Sequence, residues 1–154
     1  MGETGGEQGG RFATGKQPAD RNISDRLRNL SFSDQQRLAR EGNLSERTAL
    51  ERLYGKGVWE PLLHNPGVSI VEVARLSCKG GLPKPLLEMI VSNGAWLSNA
   101  QVRRGLLTNP RLGNNQIAKV LRAMPRHELK LVPKQSIYSP AVREAARRIT
   151  GRAG

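Results

Sequence analysis

The chain nearly repeats itself, and that feature restricts the fold more than any other. Leu62-Leu63-His64-Asn65-Pro66 returns 44 residues on (62 to 106) as Leu106-Leu107-Thr108-Asn109-Pro110, and each copy leads through a short polar stretch into an amphipathic run. Val73-Ala74 in the first run is answered by Ile117-Ala118 in the second, Leu87 and Ile90 by Leu129 and Val132, and Val102-Arg103 by Val142-Arg143. Repeats of about 40 to 45 residues built from helix pairs are the signature of solenoids, in which each unit buries its apolar face only against its neighbours. The expected fold is therefore all-α: a short α-solenoid of stacked helix pairs, with no alternating strand pattern.

Local signals place the helices. Residues 1–22 are glycine-rich and nearly devoid of aliphatic side chains, so they cannot bury enough to offset ordering and are expected to form a disordered tail. Residues 23–154 then form a single helical domain, its folding starting near Ile23. A short helix runs from Ser33 to Arg40, and Asn43-Leu44-Ser45 caps a second whose Ala49, Leu50, Leu53 and Tyr54 share one face. Trp59 to His64 is a short helix stopped at Asn65-Pro66, because the residue before proline is pushed out of the helical region. Ser69 caps the next helix, which Gly80-Gly81 ends through positive φ. Pro83 and Pro85 open another, Ser98 and Gln101 form a capping box for a helix through Leu107, Pro125 stops the run from Ile117 to Met124, and Ser139-Pro140 starts the last helix. In the first pair, Leu38, Asn43 and Leu44 match Leu131, Ser136 and Ile137, which extends the stack over residues 33–150.

Charge is concentrated in the repeats. Up to Tyr54 there are nine Lys and Arg against eight Asp and Glu, whereas from Gly55 on there are sixteen against five. Such an excess attracts polyanions, whether acidic proteins, nucleic acid or anionic membrane. No apolar run approaches the roughly 18 residues that a spanning helix needs. The N-terminus lacks the basic start and apolar stretch of a secretory signal, which makes the cytoplasm the expected compartment. The single cysteine, Cys78, agrees with a reducing environment and is expected to be a small buried residue on a helix.

Residues that could carry chemistry are sparse. The histidines, His64 and His127, stand in different repeats without cysteine or carboxylate partners at ligand spacing, so no metal or cofactor is expected. Glu72, Glu88, Glu128 and Glu144 lie near arginine or lysine on polar helix faces, the pattern of surface ion pairs. Asn65 and Asn109 are explained by a recurring turn, since an asparagine before proline bonds its own turn. Trp59 and Trp96 could stack bases or fill the groove between units, and with six aromatic residues in the chain core filling is the expectation. The basic residues recur more tellingly: Arg75 with Lys119, and Arg103 with Arg143, occupy equivalent positions. Stacked repeats would align them into a stripe, to which Lys79, Arg104, Arg122 and Arg147 add.

The run from Leu62 to Ile149 resembles a bacterial family of HEAT-like or leucine-rich-repeat-variant helical proteins, in which Leu-x-x-Asn-Pro precedes each helix pair and a tryptophan lies ahead of the middle one, matched here by Trp96 in Gly94-Ala95-Trp96. The resemblance implies an architecture and no activity. HEAT-like proteins are binding scaffolds, with one enzymatic branch, the alkylpurine DNA glycosylases, that uses a catalytic aspartate. This chain departs from that branch: its aspartates are Asp20, Asp25 and Asp34, and none follows Gln35. The sequence is read as a non-enzymatic binding module docking an acidic protein segment through Arg75, Lys79, Arg103, Arg104, Lys119, Arg122, Arg143 and Arg147. Sequence-nonspecific nucleic-acid binding through phosphates is the second reading, and a small anionic nucleotide the third.

Overall fold

The computed structural model describes residues 18–153. Among them the only regular structure is helical. Two compact units divide the chain, one up to Gly67 and one from Val68. The expected tail falls mostly on residues 1–17, which lie outside the described residues. The first described helix nevertheless begins at Pro18, ahead of Ile23.

In the first unit, α1 (Pro18–Leu27) packs on α3 (Leu44–Tyr54), while α2 (Phe32–Glu41) packs on α3 and on α4 (Trp59–Leu63). Leu27, Ala39, Ala49, Leu50, Val58 and Leu62 form the core, with Leu38, Leu53 and Tyr54 against it. The helix starts follow from their caps. Ser31 Oγ accepts from the Asp34 amide at 3.1 Å. Asn43 Oδ1 accepts from the Glu46 amide at 2.9 Å while the Glu46 carboxylate accepts from the Asn43 amide at 2.8 Å, which satisfies two amides the helix leaves without partners. Gly55, with φ 51°, is the one residue of positive φ among those described. It turns the chain out of α3 into a 3-10 turn (Gly55–Val58), a conformation that a Cβ would strain.

The second unit opens with α5 (Ile70–Ser77), which packs on α8 (Ala100–Leu107). Between them run α6 (Lys84–Ser92) and the single turn α7 (Gly94–Leu97). Then α9 (Asn114–Arg122) packs against α6, α8 and α11 (Pro140–Ala153), with α10 (Arg126–Leu129) and a 3-10 turn (Val132–Lys134) leading into α11. Burial follows the sequence repeat: Val73 and Ile117, Leu62 and Leu106, Leu63 and Leu107, and Val102 and Val142 are all buried.

Several local expectations are corrected. Ser69 does cap α5, in a box with Glu72, but Gly80 and Gly81 have no positive φ; the helix has ended at Ser77, and the turn closes through Lys79 N–H to the Leu76 carbonyl and Leu82 N–H to the Lys79 carbonyl. Asn99, not Ser98, caps α8: its Oδ1 accepts from the Gln101 and Val102 amides at 2.8 and 3.1 Å, while Ser98 Oγ donates back to the Ala95 carbonyl. Cys78 is exposed at the end of α5 rather than buried. The first helix pair is also in a different register: the caps of α3 and α11 are Asn43 and Ser139, which makes Arg47, not a residue three positions away, the counterpart of Arg143.

Candidate functional site

The recurring asparagines are structural, and more so than a turn requires. Asn109 Oδ1 accepts from the Arg111 amide at 2.9 Å, closing its own turn, while Nδ2 donates to the Ser77 carbonyl at 2.8 Å and the Lys79 carbonyl at 2.9 Å. Asn65 does the same in the first unit, accepting from the Gly67 amide and donating to the Ala39 and Gly42 carbonyls at 2.9 and 3.0 Å. Each Asn-Pro turn thereby satisfies carbonyls at the C-terminal end of an earlier helix, which its own backbone cannot pair. Both side chains are buried with every polar atom used.

Recurring arginines also have a structural cause. Arg47, Arg103 and Arg143 each stand four residues after a cap (Asn43, Asn99 and Ser139) and reach backward to a carbonyl of the preceding connection. Arg47 donates to the Gly42 and Gly67 carbonyls. Arg143 Nε donates to the Tyr138 carbonyl at 3.1 Å. Arg103 Nη1 donates to the Leu97 carbonyl, while Nε and Nη2 form a fork on Glu128 at 3.2 and 2.7 Å. The Arg103 side chain is 4 % exposed and is not part of a surface stripe, which corrects that expectation. Arg143 is half-buried.

The remaining expected residues separate into groups. Arg75 on α5 and Arg104 on α8 are exposed and line one cavity of about 350 Å³ together with Ala74, Cys78, Gln101, Gly105, Thr108 and Ile137. Arg143 borders a second cavity of about 520 Å³ around the Asn-Pro turn and the loop before α11; the two cavities share Thr108 and Ile137. Lys119 and Arg122 on α9 are exposed and line neither. Lys119 stands near Glu88, whose carboxyl is held below its ordinary range first by the Gln116 amide, then by the Ser92 hydroxyl, with a smaller contribution from the Lys119 charge. Arg147 is exposed and pairs with Glu144 at 3.0 Å. Lys79 is half-buried, its carbonyl occupied by Asn109.

The groove between α5 and α8 is shaped by Gly105. A Cβ there would lie 3.0 Å from Ser77 Cβ and 3.1 Å from the Ala74 carbonyl oxygen, so a larger residue would oblige the two closely approaching helices to shift apart slightly. Ile137 stands 49 % exposed at the shared wall of both cavities. Tyr138 beside it is buried, and that burial pushes its phenol above the ordinary 10.0. Among the described residues neither lining includes a carboxylate. The sequence repeat pairs Ile137 with Leu44 and assigns it no part in binding; its further signal is an isolated aliphatic residue in the polar connection Gln135-Ser136-Ile137.

Elsewhere, His64 lies 3.9 Å from Glu60 in an exposed i,i+4 pair. Among the described residues no three His, Cys, Asp or Glu side chains gather as a metal site. No helix among them is long and apolar enough to cross a membrane. No family model, no curated protein and no solved structure matches the chain.

Proposed function

We propose that the chain is a non-enzymatic binding module, a short HEAT-like α-solenoid whose basic second unit docks an acidic protein segment. The observation that carries this reading is the disposition of charge in the second unit. Its acidic side chains are engaged internally, Glu72 in a capping box, Glu88 with Gln116 and Ser92, Glu128 with Arg103 and Glu144 with Arg147. Arg104, Lys119 and Arg122 stand exposed, so the cationic excess faces solvent and any approaching polyanion meets it. The matching Asn-Pro turns support the stacked arrangement, because the same buried amide joins each turn to an earlier helix end.

Nucleic-acid binding is the second reading, favoured by the same excess of charge. The scarcity of stacking platforms argues against a single-strand binder in this unit: its two aromatic residues are Trp96, half-buried, and Tyr138, buried. Anisotropy titrations of the full chain with a labelled oligoglutamate peptide and with a short DNA duplex, each at two salt concentrations, separate the readings. An acidic-segment binder takes the peptide more tightly than the duplex, which stays in the ordinary nonspecific range of about 10⁻⁴ to 10⁻⁶ M at physiological salt. Tighter binding of the duplex, with a steep salt slope, selects the second reading, and binding of neither probe removes both.

A further inference from the structure

Among the surfaces of the second unit, one joins positive charge to an accessible apolar wall. In the α5/α8 groove Arg75 and Arg104 flank the close approach at Gly105, and Ile137 forms the wall shared with the adjoining cavity, at which Arg143 stands. At about 350 Å³ the groove has the size at which ligand clefts begin, roughly 300–1,000 Å³. A phosphate backbone would use the arginines and leave Ile137 wet. A peptide bearing both carboxylates and an aliphatic side chain would use both.

We infer that this groove is the docking site, and that its occupant is an acidic protein segment with an aliphatic anchor: carboxylates on Arg75 and Arg104, and a leucine-like side chain against Ile137 and the Gly105 floor. The inference rests on the binding-module reading above and narrows it to one place and one ligand chemistry. The exposed guanidiniums of Arg75 and Arg104 supply the charge complementarity, and half of Ile137 exposed to water supplies the apolar term, since burying a side chain of that size contributes favourably to association. Lys119, Arg122 and Arg147 are then solvated charge that steers approach without touching the segment.

Cys78, exposed in the groove and the single cysteine of the chain, provides a footprint. The full chain is alkylated with iodoacetamide alone, with the DNA duplex, and with two peptide probes, an oligoglutamate carrying two leucines one helical turn apart and its serine-substituted counterpart. The leucine probe is expected to bind more tightly than the serine probe, and at ten times its Kd to slow Cys78 alkylation about tenfold, since the rate follows the unoccupied fraction. Arg75→Glu with Arg104→Glu, and separately Ile137→Ser, should remove the protection while leaving the helical circular dichroism unchanged. Binding that leaves the alkylation rate untouched, and that is lost instead in Lys119→Glu with Arg122→Glu, overturns the groove assignment while the basic-module reading stands. Equal affinity for the two probes overturns the aliphatic anchor. Failure of both probes to bind overturns the groove and the acidic-segment reading together, and protection of Cys78 by the DNA duplex alone transfers the groove to nucleic acid.

Discussion

Replacing Asn109 by alanine distinguishes a turn cap from a tie between elements. A residue that only capped its own turn would cost about 1 kcal/mol on removal. The geometry asks for more, because three hydrogen bonds are lost: one accepted from the Arg111 amide and two donated to the Ser77 and Lys79 carbonyls. Arg111 is exposed and Lys79 half-buried, so water replaces those partners and each loss is near the lower end of the 0.5–1.5 kcal/mol typical of a net hydrogen bond, about 0.5 kcal/mol apiece. Ser77 is fully buried, and its stranded carbonyl costs about 1–3 kcal/mol. The expected loss is therefore about 3 kcal/mol. Urea unfolding followed by Trp96 fluorescence in a Trp59→Phe background reports the unit that holds Asn109. Asn109→Asp sharpens the test, since it keeps the acceptor at Oδ1 but points a second oxygen at two carbonyls. That repulsion raises the folded carboxyl's pKa above the unfolded value of about 3.9, so the variant loses stability as pH rises through that interval and should be less impaired near pH ~4 than near pH ~7. A cost of Asn109→Ala at or below about 1 kcal/mol, with an Asn109→Asp penalty independent of pH, would refute the tie.

Three further outcomes follow from the packing and the ion pairs. Gly105→Ala forces a Cβ to within 3.0 Å of Ser77 Cβ and should destabilise in spite of alanine's helix propensity, whereas Gly151→Ala, with open space around it, should be neutral or stabilise by up to about 1 kcal/mol; thermal melts in which both variants behave alike would contradict the close approach of α5 and α8. Arg103→Met should cost about 2–3 kcal/mol through the stranded Glu128 and the Leu97 carbonyl, and a double-mutant cycle with Glu128→Gln should show coupling above about 0.5 kcal/mol while affinity for an acidic peptide stays unchanged. The Glu88 carboxylate accepts from Gln116 at 3.0 Å and joins α6 to α9; because its folded pKa lies below the ordinary 4.5, that contribution is present above the ordinary value and lost as pH falls through the lower one, so the Tm difference between wild type and Gln116→Ala should shrink on acidification.

Fold class was legible because periodicity and caps are local. Val73 and Ile117 recur at one spacing and are both buried, Asn43 and Ser69 cap where their spacing to Glu46 and Glu72 puts them, and α4 stops before Asn65-Pro66 as the proline demands. Misread details were those decided between neighbours of similar chemistry. Ser98 and Asn99 are both good caps, and the longer asparagine takes the two amides while the serine turns back to Ala95. Cys78 follows an apolar run, yet α5 has ended at Ser77, so the thiol faces outward.

The arginines show why a repeat period alone does not reveal a binding surface. Recurrence says that a position is needed by each unit, and both a ligand stripe and a structural clamp satisfy that condition. Arg47, Arg103 and Arg143 satisfy it as clamps: a guanidinium four residues into a helix can bend back over the cap and pair carbonyls of the connection, a geometry that one fixed cap-to-arginine spacing reproduces wherever it occurs. Arg104, which follows Arg103 and has no arginine partner at the repeat spacing because Glu144 stands there, lines the groove with Arg75. Ile137, paired with Leu44 by the sequence repeat, is an aliphatic residue exposed in a polar connection. Recurrence therefore does not sort clamps from surface: Arg103 and Arg143 recur and pair backbone carbonyls, Arg75 recurs with Lys119 and lines the groove, and Arg104 lines it without an arginine at the matching position, so a search for the partner begins from where the structure places Arg75, Arg104 and Ile137 rather than from the repeat period.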